Sequence, residues 1–177
     1  MQSKLSHIKH WVFDLDHTLY SPKIKLFDQI EVLMNTYLKK TLNVTQEKAV
    51  YLRKYYWEEY GTTLAGLMAE QHVDPEYYLE FVHNINLDNL EENSDLAAHI
   101  NSLPGDKIIF TNGSRMHAVN VSKALGLYEC FSELVIGGSG STQTTSKPAF
   151  ANAHADVNPA IPPPDIRTSV VLRIICA

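Results

Sequence analysis

An apolar run that stops on two acids, Trp11-Val12-Phe13-Asp14-Leu15-Asp16, constrains this chain more than any other stretch. Consecutive bulky apolar residues read as a strand buried on both faces, the pattern of a parallel sheet covered by helices. In extended backbone the side chains at i and i+2 share a side, so a strand ending here turns Asp14 and Asp16 toward one ligand. Two carboxylates at one strand end suit phosphoryl transfer: one attacks phosphorus while the other moves a proton to the leaving alcohol and later takes one from water. An anionic nucleophile and an anionic phosphate repel, by about 4 kcal/mol for unit charges roughly 4 Å apart at an effective dielectric of about 20, so the chemistry calls for a cation. All-oxygen ligands with a phosphate point to Mg2+, which needs only one or two carboxylates. The competing reading is an acidic turn closing a core strand. The order of the later segments weighs against it.

Strand one, Lys9 to Asp14, is followed by helical periodicity rather than by a single crossover helix. Phe27, Ile30, Leu33, Met34, Tyr37, Leu38 and Leu42 recur at steps of three and four, which predicts an amphipathic helix. A second helix spans Gln46 to Tyr60 and stops at Gly61. Thr62 or Thr63 caps a third through Glu70, and Asp74-Pro75-Glu76 opens a fourth that runs to about His83. A fifth short helix covers Asp95 to Ser102. Alternation resumes with the strand Lys107 to Thr111, the turn Asn112-Gly113-Ser114, a helix from Arg115 to Leu125 stopped by Gly126, and a strand from Glu133 to Ile136. The pattern predicts an α/β fold: a Rossmann-like parallel sheet, residues 1–20 and 106–177, interrupted by an all-helical cap, residues 21–105. Ligand then sits at the carboxyl ends of the strands.

Thr111-Asn112-Gly113-Ser114 joins a strand to a helix, so its hydroxyls and N–H groups are placed to meet a phosphate at the helix N-terminus. Ordinary turn and capping chemistry uses the same residues. Lys147, ahead of Pro148 and an apolar segment from Phe150, supplies the fixed positive charge such a site needs, although a lone Lys is otherwise a surface residue. The order DxDxT, then a strand ending in Thr, then Lys-Pro resembles the haloacid dehalogenase superfamily of phosphohydrolases. Through WVFDLDHTLY, LFDQI, YGTTLAGLMAE, DPEYYLEFVH and IIFTNGS the chain is most similar to its pyrimidine 5'-nucleotidases, from about Ile8 to Ile136 and again at Ser146-Lys147-Pro148. The resemblance implies Asp14 as nucleophile and Mg2+ ligand, and Asp16 as acid/base and a ligand through its backbone carbonyl. It also implies Thr111 and Asn112 on the phosphate, Lys147 neutralising charge, and a cap that sets substrate choice.

The chain departs from that family after Phe150. A further acidic motif is expected at the end of the next core strand, but the late acids are only Asp156 and Asp165, and neither follows an apolar strand. The apolar segment Thr168 to Ala177 is a candidate for that strand, yet it carries Arg173 and no acid. Together with a Gly/Ser/Thr-rich loop over Gly137 to Ser146, this leads to the expectation of a truncated or frame-altered C-terminal part, with incomplete core strands.

Composition narrows the rest. With 177 residues, 45% hydrophobic and 20% charged, the chain reads as one globular unit with a real core. A net charge of -5 gives a nucleic-acid polymer no broad attraction. Cys130 and Cys176 have no paired spacing, and no signal or spanning stretch is evident, so a cytoplasmic compartment is the default. The expected partner is a small phosphorylated metabolite, foremost a pyrimidine nucleoside 5'-monophosphate. A phosphatase for another metabolite such as phosphoglycolate remains open, as does an impaired form that only binds phosphorylated ligands. Tyr51, Tyr55, Tyr56, Trp57 and Tyr60 offer faces for a base, but aromatics at helical spacing are more often packing residues. The eight His residues lack ligand spacing, and His17 is expected to point away from the acids.

Overall fold

The computed structural model describes residues 5 and 7–137 and, as backbone strands, residues 143–146 and 169–172. The first strand, β1 (His10–Asp14), buries Trp11 and Phe13. The Trp11 indole N–H donates to the Pro104 carbonyl at 2.6 Å, which satisfies the one polar atom of a buried ring. The helices α1 (Leu26–Leu42), α2 (Gln46–Tyr60), α3 (Thr63–Gln71), α4 (Pro75–Val82) and α5 (Ser94–Ser102) come next, before β2 (Asp106–Thr111). Then follow α6 (Arg115–Ala124), β3 (Glu133–Ile136), β4 (Gln143–Ser146) and β5 (Ser169–Leu172). The α/β class, the parallel core and the inserted helices are as the sequence predicts.

The helix boundaries follow from capping chemistry. Thr45, Thr62, Asp74, Asn93 and Ser114 each accept a backbone N–H in the first turn of the helix they open. Gly61 ends α2 with φ of 81°, a conformation that costs other residues a steric penalty.

The sheet order among the described residues is β4-β3-β2-β1-β5. β1 lies between β2 and β5 and runs parallel to both. β5 therefore takes the place proposed for the apolar segment after Thr168. Asp14 pairs in register with Phe110, which sets the carboxyl ends of β1 and β2 side by side. β4 runs antiparallel on the outer edge of β3. Its residues, Gln143-Thr144-Thr145-Ser146, read as loop from their polarity. β-branched Thr nevertheless suits extended backbone, and the free edge of β3 supplies hydrogen-bond partners that no local pattern reveals.

Among the described residues, two apolar clusters hold the fold. One joins Trp11, Phe13 and Leu15 to Ile109, Ala118, Val121, Phe131 and Leu134, with Phe13 and Phe131 edge to face at 5.5 Å. The other gathers Ile30, Tyr37, Leu38, Tyr56, Leu67, Tyr78 and Val82 from α1 to α4. Leu90 and Ile100 of the inserted segment, with Leu96 and Ala97 of α5 against them, belong to the first cluster. Ile85 packs on both.

Candidate active site

β1 ends at Asp14, and the next residues fold into a tight turn in which Thr18 and Leu19 both donate backbone N–H groups to the Leu15 carbonyl. Asp16 therefore reaches the site from a turn rather than from the extended backbone that the i, i+2 argument assumed. His17 adopts a left-handed φ of 58° and is exposed, against the edges of Tyr20 and Phe27.

Each acid is held by specific donors. The Asp14 carboxylate accepts from the Leu15 N–H at 3.0 Å and, on its other oxygen, from the Thr18 hydroxyl at 3.2 Å. Asp16 Oδ1 accepts from the Tyr20 hydroxyl at 2.7 Å and lies 2.8 Å from His117 Nε2. Burial works to raise the Asp16 pKa, but the His117 hydrogen bond and charge, with the Tyr20 hydroxyl, outweigh it and hold the carboxyl below the usual range. The same burial and the adjacent Asp16 charge push the Tyr20 phenol far up, so it stays a proton donor.

Thr111 ends β2, is buried, and accepts the Gly113 N–H at 3.0 Å through its own hydroxyl. Ser114 caps α6 by accepting the His117 N–H at 3.1 Å. The turn thus does its structural work through Thr111 and Ser114, while Thr111, Asn112 and Gly113 line the cavity that holds Asp14 and Asp16. Lys147 and the late acids Asp156 and Asp165 lie outside the described residues.

That cavity measures about 600 Å³ and opens between the strand ends and the inserted helices. Its far walls include Phe27, Ile30 and Met34 of α1, Arg53, Lys54 and Trp57 of α2, and Tyr78 of α4. Arg53 is anchored by Glu31 at 2.9 Å and Asn35 at 3.2 Å. The Tyr78 hydroxyl is buried and has no hydrogen-bond partner among the described residues. Of the aromatic residues singled out on α2, Trp57 lines the cavity, whereas Tyr56 packs inside the helical cluster.

Tyr20, His117 and Thr18 did not emerge as site residues from sequence. Tyr20 sits four residues after Asp16, and a hydroxyl at that spacing in a turn is a local signal. The buried positions His117, Ala118, Val121 and Ser122 mark one face of α6, so helical spacing placed His117 inward without saying what it met. The donor set of the two acids is all oxygen and suits a hard divalent cation such as Mg2+. Among the described residues, no three His, Cys, Asp or Glu gather to hold a metal.

No protein-family model matches the chain. It is 26% identical over 133 residues to phosphate metabolism protein 8 of Saccharomyces cerevisiae, a match covering 70% of this chain and 41% of that protein. The chain thus spans about two fifths of that relative. Similar solved structures include a Thermotoga maritima protein assigned as a beta-phosphoglucomutase, with 14% identity, TM-score 0.35, 73% of this chain and 62% of that one. Another is the Bacillus subtilis protein YfnB, assigned as a HAD-hydrolase and solved with magnesium, with 18% identity, TM-score 0.32, 73% of this chain and 65% of that one.

Proposed function

We propose that this chain is a phosphomonoester hydrolase working through an aspartyl-phosphate, with a pyrimidine nucleoside 5'-monophosphate as its preferred substrate. One observation carries the reading: Asp14, Asp16, Thr111, Asn112 and Gly113 line one side of a single cavity, and helices α1 to α4 line the other. In the first step an Asp14 oxygen bonds to phosphorus, the ester P–O bond breaks, and Asp16 gives its proton to the departing oxygen. In the second, water attacks phosphorus, Asp16 takes a proton from it, and the Asp14–phosphorus bond breaks to release phosphate. Thr18 and the Leu15 N–H aim the nucleophile, Thr111 and Asn112 face the phosphate, and Lys147 is its counter-charge. Mg2+, held by the Asp14 carboxylate and the Asp16 carbonyl, would offset the repulsion between the anions. The inserted segment, residues 21–105, acts as the cap over the leaving group, and its helices α1 to α4 supply the residues that line the cavity. A volume of about 600 Å³ lies within the roughly 300–1,000 Å³ common for small-molecule sites, and exposed Trp57 offers a face to a base.

Hydrolysis of 4-nitrophenyl phosphate with and without Mg2+, by wild type and Asp14→Asn, tests the chemistry. The substitution is expected to cost on the order of 10⁴-fold, in line with loss of a nucleophile. Activity that survives it refutes the assignment. A panel of nucleotides, sugar phosphates and phosphoglycolate tests the substrate, and a flat or sugar-favouring profile removes the nucleotide. A second reading, binding without turnover, draws on the sequence after β5, where Arg173-Ile174-Ile175 carries no acid. Calorimetric binding of phosphate with Mg2+ by a chain that releases none from any ester would favour it.

A further inference from the structure

Resting on the hydrolase reading, we infer that His117 is a positioning residue that fixes the Asp16 carboxyl so that its second oxygen delivers the proton to the leaving group. Two donors from different parts of the chain converge on one oxygen: Tyr20 at 2.7 Å and His117 at 2.8 Å both meet Oδ1. Neither engages Oδ2, which is left as the oxygen for exchange with substrate. A carboxyl held at one oxygen by two donors cannot swing about its χ2 axis without breaking both bonds, and a proton donor must lie within hydrogen-bond reach of the leaving oxygen.

The imidazole is itself immobilised. Its side chain is 1% exposed. His83, at the end of α4, stacks on it with centroids 4.4 Å apart and rings 25° from parallel. Gly113 leaves the room it occupies, since a Cβ there would stand 3.0 Å from His117 Cδ2. Ser114 fixes its backbone. A packing role at this position is served more cheaply by an apolar ring, because a buried imidazole pays for desolvation unless its nitrogens are bonded. The hydrogen bond to Asp16 is what distinguishes the histidine from a phenylalanine.

A misplaced acid slows esters that need a proton on the departing oxygen far more than esters whose leaving group departs as a stable anion. The test compares kcat on uridine 5'-monophosphate, an alkyl ester, with kcat on 4-nitrophenyl phosphate for wild type, His117→Phe, His117→Gln and Tyr20→Phe. His117→Phe also removes a donor that favours the ionised Asp16 carboxylate, but loss of aim outweighs that gain, and the alkyl-to-aryl ratio is expected to fall by about tenfold to a hundredfold, within the range of acid catalysis. His117→Gln, which keeps a donor, should restore the ratio to within about threefold. Tyr20→Phe should lower the ratio less than His117→Phe, and it keeps the inference testable if the latter fails to fold. Equal losses on both esters, or a His117→Gln ratio no better than that of His117→Phe, overturn the inference alone. Wild type that hydrolyses only the aryl ester overturns this inference and the nucleotide assignment, while leaving the aspartyl-phosphate chemistry standing. No phosphate release by wild type from either ester overturns the hydrolase reading and this inference together.

Discussion

At the residue scale the histidine stack carries a second consequence, for stability. Burial first, and then the charge on His117, push the His83 pKa down from its ordinary 6.5 to about 4. The unfolded chain therefore binds a proton below about pH 6.5 that the folded chain refuses until about pH 4. Stability contributed by neutral His83 is present above that window and is lost as pH falls through it, by at most about 3.5 kcal/mol at roughly 1.4 kcal/mol per pH unit. Asp16, also facing the pair, works in the same direction because its carboxyl is held below the usual range. The difference between wild type and His83→Phe isolates the histidine. Urea midpoints at pH 7, 5.5 and 4.5 should fall more steeply in wild type, and parallel slopes would remove His83 from the account. The sequence could not foretell this pair. His83 and His117 are far apart along the chain, and each alone looks like a surface or packing histidine. Asp14 and Asp16 were legible because their signal is local, an apolar strand ending on acids. Their orienting donors were half legible, since Thr18 and Tyr20 lie in the same ten residues.

At the element scale, helix starts and stops were readable because capping acts over three or four residues, as at Thr62, Asp74 and Gly61. Packing between helices was not, and Gly66 shows why. It lies inside α3, where Ala would ordinarily gain about 1 kcal/mol of helix propensity. A methyl there would overlap the ring and Cβ of Tyr56, which is 1% exposed and packed within the second cluster. Overpacking of that kind costs about 1–3 kcal/mol, so Gly66→Ala is expected to destabilise despite its better propensity. Calorimetry should give a melting temperature several degrees lower, and an unchanged or raised one would show that α2 and α3 slide apart freely. Propensity is a property of one helix, whereas this sign is set by a side chain ten residues away. β4 escaped for a related reason: its pairing is decided by the edge of β3.

At the scale of the whole molecule, the question is whether the two apolar clusters act on one ligand. The chain contains two tryptophans, and they report on the two halves separately. Trp11 is 3% exposed in the cluster beneath the sheet, while Trp57 is 64% exposed and lines the cavity from α2. The acids, Thr111 and Asn112 face the same cavity from the strand ends, so a nucleoside monophosphate seated on them must place its base toward the inserted helices. In a Trp11→Phe, Asp14→Asn background, uridine 5'-monophosphate should shift Trp57 emission and protect it from acrylamide. Inorganic phosphate, too short to span the cavity, should leave Trp57 as accessible as before. Ribose 5-phosphate separates contact with the base from closure of the helices: protection by the sugar phosphate would mean that α1 to α4 move over any ester. Protection by the nucleotide alone would mean that Trp57 meets the base directly, while protection by neither would confine binding to the strand ends and leave the helical insertion without a part in substrate choice.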